Sequence, residues 1–127
     1  MKAEISRTVL DAIRKHAAAE PDREVCGLLF GTERRVDGVM AAENVAADPE
    51  RRFEIDPAAL FAAIRAERAG GPKLVGYYHS HPKGPAAPSD TDRASAAPDG
   101  KLWLIVTADA VTGWRAGPDG FVAVEIG

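Results

Sequence analysis

The stretch Val25–Gly31, VCGLLFG, is almost wholly apolar and ends in glycine. It limits what the chain can fold into more than any other segment. A strand with one face in water alternates polar and apolar residues, whereas an unbroken apolar run of this length reads as a strand buried on both faces. Such a strand needs packed layers on each side, and the rest of the chain supplies candidates. Ile5, Val9, Leu10, Ile13 and Ala17 recur at helical spacing behind Ser6, a good N-cap, so 6–19 reads as an amphipathic helix. Val36–Asn44 reads as a second strand, paired with the first across the turn 32–35. A brief extended stretch follows at Phe53–Ile55. Asp56-Pro57 then opens a helix with Leu60, Phe61 and Ile64 on its buried face, ended by Gly70-Gly71. Lys73–His81, Leu102–Thr107, Val111–Arg115 and Phe121–Ile126 read as strands, with a short helix at Ser89–Ala97. The order α-β-β-α-β-α-β-β-β predicts a mixed α/β (α+β) fold: a curved sheet of about six strands with helices packed on it.

Composition removes several function classes. The 127 residues make one domain, 1–127, with a single modest core. A net charge of −3 gives no electrostatic reason to expect nucleic acid. The one cysteine, Cys26, excludes an internal disulfide and a zinc site built mainly from thiolates. MKAEISRTVLDAI lacks the unbroken apolar stretch of a signal peptide, and no run approaches a membrane span, so a cytoplasmic protein with no membrane partner is expected. Nothing in the composition bears on oligomeric state.

The densest chemistry lies at 79–92, HSHPKGPAAPSDTD. Residues two apart on a strand point the same way, so His79 and His81 share a face and two imidazoles side by side can grip one metal ion. The next seven residues hold three prolines and a glycine, a stiff excursion rather than a floppy one. It ends at Ser89, a good N-cap, with Asp92 in the first helical turn, where it can swing back as an oxygen ligand. His, His and Asp with water in the fourth position is the open tetrahedral arrangement of a catalytic zinc site. A lone His-x-His is more often surface polarity, and Ser-x-x-Asp more often only caps. The full spacing H-x-H-x7-S-x2-D separates the cases: with three His, four Ser and ten Asp in the chain, chance yields it roughly once or twice in ten thousand. Both readings of Ser89 can hold together if its backbone begins the helix while its hydroxyl faces the metal.

Glu24, His79-Ser80-His81, Ser89 and Asp92, with the flanking REVCGLLFG, VGYYHSHP and PSDTD, resemble the JAMM motif of the JAB1/MPN/Mov34 (MPN+) metalloproteases. The likeness runs from the first helix through the strand around Trp103, and is nearer the short single-domain prokaryotic members than the larger eukaryotic deubiquitinases. It implies a cytidine-deaminase-like MPN fold. It implies one Zn2+ per chain on His79, His81 and Asp92, with Glu24 as general base and Ser89 as oxyanion donor. By the same resemblance the reaction is hydrolysis of the amide after the C-terminal Gly-Gly of a ubiquitin-like protein, often held as a strand added to the sheet edge. A sulfur-carrier protein of β-grasp type, losing a terminal amino acid or peptide, is the alternative substrate. The segment Val45–Arg52 is short where larger relatives carry insertions that hold ubiquitin, which argues against tight ubiquitin-specific recognition.

Residues near the motif read more plainly. Ser80 should hydrogen-bond within the fold, Pro82 and Pro88 brace the loop, Cys26 be a small buried residue, and His16 sit on the surface at a helix end. Arg51 or Arg52 could line a substrate groove. Three other readings remain beside the protease. A metal-free MPN scaffold would lack the ligands, a zinc deaminase would need further cysteines, and a serine hydrolase using Ser89 would want a G-x-S-x-G context.

Overall fold

The protein is described by a computed structural model covering residues 2–127. Among the described residues seven strands and three helices run in the order β1 (Lys2–Ile5), α1 (Arg7–Ala19), β2 (Cys26–Gly31), β3 (Arg35–Ala42), α2 (Pro57–Arg68), β4 (Leu74–Ser80), α3 (Asp90–Ser95), β5 (Leu102–Val106), β6 (Val111–Gly117) and β7 (Gly120–Ile126). The strands close in the order β1-β3-β2-β4-β5-β6-β7. The six strands read from the sequence are all present. The seventh, β1, is the closing one, pairing in parallel with β3 (Glu4 with Arg35) and with β7 (Ala3 with Ile126). It is four residues long with only Ala3 and Ile5 turned inward, too short for a period-two signal, and Ile5 also fits the helical spacing that follows it. The curved sheet expected from the sequence is therefore drawn shut.

β2 is the central strand its composition demanded. Leu29 packs inward with Ile5, Val9, Ile13, Val36, Tyr78 and Leu104, where α1 seals the sheet. Leu28, on the opposite face, packs with Ala63 of α2 and with Leu74. Ser6 caps α1 by accepting from the Val9 amide at 3.2 Å, and Asp56 caps α2 by accepting from Ala58 at 3.0 Å. The orientation of α2 corrects one expectation. Its sheet face is Leu60 and Ala63, with Glu67 accepting from the Leu74 amide, so Phe61 is 64% exposed and Ile64 sits at the rim. Hydropathy alone cannot say which apolar stripe of an alanine-rich helix turns inward; contact with Leu28 and Leu74 does. No helix among the described residues is long and apolar enough to cross a membrane.

β4 lies between β2, antiparallel, and β5, parallel. Gly76 faces Leu102 in the β4–β5 register, and a Cβ there would come within 2.0 Å of the Leu102 carbonyl oxygen. The seam closes only around a glycine. Gly76→Ala should therefore destabilise the fold by about 1–3 kcal/mol, as overpacking does. A urea midpoint unchanged from that of the parent would show that the seam has slack.

Candidate metal centre

β4 ends at Ser80, and the parallel pairing carries one residue further, with the His81 amide donating to the Val106 carbonyl at 3.0 Å. His79 pairs with Cys26 on one side and Ile105 on the other. Strand alternation turns His79 and His81 the same way, while Ser80, between them, accepts from the Val25 amide at 2.9 Å. The proline loop then brings the chain back. Its Pro85 carbonyl accepts from His81 Nδ1 at 2.8 Å, and Pro88 is buried. At α3 a full capping box forms: Ser89 Oγ accepts from the Asp92 amide at 3.0 Å, and Asp92 Oδ2 accepts from the Ser89 amide at 2.9 Å. This corrects one detail. The Ser89 hydroxyl oxygen itself makes the cap, leaving its proton to donate elsewhere.

Three atoms converge. His79 Nε2 and His81 Nε2 are 3.0 Å apart, and each lies 3.1 Å from Asp92 Oδ2. All three residues are buried. The Pro85 carbonyl can only accept, which assigns the His81 proton to Nδ1 and leaves a lone pair on Nε2 in the neutral ring. His81 Nε2 and Asp92 Oδ2 thus face each other with lone pairs, which repel at this spacing unless a cation or proton lies between them. Tetrahedral ligands on zinc at ~2.0–2.1 Å stand about 3.3 Å from each other, close to this triangle. Two nitrogens and a carboxylate oxygen also suit zinc chemically.

Glu24 lies between α1 and β2. One of its carboxylate oxygens and a nitrogen of each histidine fall within 4.8 Å of one another. Asp92 Oδ2 lies 3.1 Å from each imidazole nitrogen, whereas Glu24 Oε1 makes no hydrogen bond among the described residues. Glu24 Oε1 and His79 Nδ1 are the buried side-chain atoms with no hydrogen-bond partner among the described residues. Such orphans are rare and point to a missing partner such as water or an ion. The residues present fit one Zn2+.

The electrostatics separate the two carboxylates. Burial raises Glu24 to about 7, with His81 pulling it down and Asp92 pushing it up. Burial would raise Asp92 too, but the two imidazoles, which donate to it when protonated at Nε2, and the Ser89 amide override it and hold the carboxyl far below its ordinary range. His79 is lowered by burial against the pull of Asp92. His81 is raised, because Asp92, the Pro85 carbonyl and Glu24 together outweigh its burial.

The surroundings hold what the sequence did not disclose. The Phe53 ring stacks on His79 at 4.2 Å, and Trp103 meets the same imidazole edge-on at 5.6 Å. Both line a cleft of about 460 Å³, together with Arg52, Glu54, Leu60 and Tyr77. Of the arginine pair, Arg52 is thus at the cleft, whereas Arg51 is exposed beside Asp48 at 3.9 Å. His16 is not a plain surface residue: its Nδ1 lies 2.6 Å from the Tyr78 hydroxyl, and burial lowers its pKa. Cys26 is fully buried and its thiol is pushed up to about 12, mainly by burial, as an inert core residue would be.

Residues 6–117 match the family model for prokaryotic homologs of the JAB domain. A desampylase of Haloferax volcanii is 37% identical over 111 residues, 86% of this chain and 80% of the relative. A probable TtuB-protein conjugate cleaving protease of Thermus thermophilus is 40% identical over 88 residues, 69% of this chain and 59% of the relative. The crystal structure of a JAB1/MPN domain protein from Archaeoglobus fulgidus superposes with a TM-score of 0.64 at 22% identity, covering 99% of this chain and 98% of that one, and shares the fold.

Zinc should bind at one ion per chain. At 100 times its Kd it should add ~2.7 kcal/mol of stability, roughly 10 °C in Tm for a domain of this size. Binding expels the proton shared by His81 and its neighbours, and the raised His81 pKa makes that competition felt already near neutrality. The zinc-induced shift should therefore be large at pH 7.5, shrink as pH falls, and vanish in His79→Ala and Asp92→Ala. A shift as large at pH 5 as at pH 7.5 would exclude this donor set.

Proposed function

The chain belongs to the family of prokaryotic JAB-domain homologues and is a zinc-dependent hydrolase, and on that premise we propose that it is a JAMM isopeptidase of a single catalytic domain, residues 1–127. Its substrate in this reading is a ubiquitin-like or sulfur-carrier β-grasp protein, cut at the amide after a C-terminal Gly-Gly. The names of the two relatives support conjugates of such proteins as the substrate class. The observation that carries the reading is the buried triangle of His79, His81 and Asp92 with a buried, unpartnered Glu24 oxygen beside the two histidines.

In this assignment His79, His81 and Asp92 hold the zinc. Zinc there would supply a water acidified towards ~7 and a Lewis acid for the scissile carbonyl. Glu24 takes the proton of the attacking water. A carboxylate poised at about 7 is matched to that task near neutral pH. As the C–N bond breaks, Glu24 hands the same proton to the departing amine and returns to its ionised form. Ser89 accepts from the Asp92 amide through its oxygen, so its hydroxyl proton is free to donate to the oxyanion. The leaving group is a lysine amine, a peptide or a free amino acid. The cleft beside His79, walled by Phe53, Trp103 and Leu60, suits an extended apolar tail and keeps bulk water from the imidazole.

The test is release of a reporter from candidate β-grasp proteins of the same genome, each fused through its terminal Gly-Gly. Glu24→Gln should keep one zinc per chain and lose nearly all turnover. Ser89→Ala should cost on the order of 10²–10³ in kcat. Undiminished cleavage by Glu24→Gln would remove it as the base, and cleavage insensitive to chelators would sink the zinc mechanism.

A further inference from the structure

Glu24 precedes β2, so no strand ladder holds its peptide unit, although everything asked of it depends on where its carboxylate sits. Two hydrogen bonds hold that unit. Its N–H donates to the Pro49 carbonyl at 2.8 Å, and its carbonyl accepts from Asn44 Nδ2 at 2.9 Å. Both partners belong to the segment 44–55. Asn44 is buried at 7% exposure, and its amide is fully used. The second Nδ2 hydrogen goes to the Arg52 carbonyl, and Oδ1 accepts from the Ala46 and Glu54 amides, all three at 3.0 Å. Two donors and two lone pairs are the whole capacity of the group.

The base of this segment closes without Asn44's side chain. The Val45 amide donates to the Glu54 carbonyl at 2.9 Å, and the Asp56 amide to the Glu43 carbonyl at 3.1 Å. The side chain adds three bonds inside the segment, with Ala46, Arg52 and Glu54, and one that leaves it, to the Glu24 carbonyl. The same segment presents Phe53 to the His79 ring at 4.2 Å and lines the cleft with Arg52, Phe53, Glu54 and Ile55. One buried amide thus joins the peptide of the base to the wall of the substrate cleft.

We propose that Asn44 is a positioning residue that aims the Glu24 carboxylate at the metal by fastening its peptide unit to the 44–55 segment. This rests on Glu24 being the base. Asn44 itself touches neither metal nor substrate; it acts through Glu24. A base displaced by about 1 Å loses on the order of 10²-fold in rate.

Asn44→Asp is the sharpest variant. It keeps an oxygen for the Ala46 and Glu54 amides but turns a second oxygen, not an NH2, toward the Glu24 and Arg52 carbonyls. Asn44→Ser is the companion should the aspartate fail to fold. The expected result is kcat down about 10²-fold with KM within about threefold and one zinc per chain. In a Glu24→Gln background the same change should cost nothing further, because its route of action is already gone. The second readout needs no turnover. In the metal-free chain, amide hydrogen exchange should speed up at Glu24 while Leu28 and Tyr78 amides in the neighbouring strands keep their protection. An unchanged kcat, an equal fold loss in both backgrounds, or an unaltered Glu24 amide would each overturn the proposal. If the parent chain releases no reporter from any Gly-Gly fusion, the isopeptidase reading fails, and the exchange experiment alone decides whether Asn44 holds Glu24.

Discussion

Two imidazole nitrogens and a carboxylate oxygen stand 3.0–3.1 Å apart in a buried site, and they do not stay there through their own attraction. With the His81 proton turned to Pro85, its Nε2 meets the carboxylate oxygen lone pair to lone pair, and the backbone has to hold them together until a cation or proton joins them. That demand explains the position of β4. It is bonded along both edges, to β2 and to β5, and Gly76 lets the β5 side close. Bonding on both edges leaves the strand no freedom to slip, and a slip of one residue would turn both histidines to the opposite face. The histidines are rigid because the strand beneath them is.

The third donor arrives by a different device. Asp92 belongs to a helix of six residues, too short to hold itself by its own ladder. The capping box secures it. The Ser89 amide binds the same Oδ2 that faces the two imidazoles, so starting the helix and aiming the carboxylate are a single set of hydrogen bonds. The stiff loop before it, anchored where the Pro85 carbonyl accepts from His81 Nδ1, sets both the tautomer of His81 and the approach of Asp92.

The two carboxylates of this site are pushed in opposite directions. Asp92 accepts from the Ser89 amide and faces two imidazoles that favour its charge when protonated, so it stays ionised. Glu24, buried with an oxygen unpartnered, is raised to about 7. Environments that drive neighbouring titratable groups apart in this way suit like residues to different tasks. The 44–55 segment completes the centre from outside the sheet, stacking Phe53 on His79 and gripping the Glu24 peptide.

Much of this was written in the chain. Period-two spacing put His79 and His81 on one face, Ser89 and Asp92 announced the helix start, and VCGLLFG announced a strand covered on both sides, because these are local consequences of backbone geometry. Glu24 was legible only through its resemblance to a motif, since a single glutamate carries no periodic signal. Other features had no local signature. The closing strand β1 is four residues long and paired to segments far along the chain. The sheet face of α2 was settled by Leu28 and Leu74 rather than by hydropathy, which left Phe61 exposed. His16 was drawn to Tyr78, and Asn44 to Glu24, by contacts between residues 62 and 20 positions apart. The sequence alone determined that His79 and His81 share a face and that Ser89 and Asp92 start a helix, because these follow from local backbone geometry. Only the tertiary structure decided where Glu24 lies beside them and what holds it there, because those contacts are set between elements that first meet when the barrel closes.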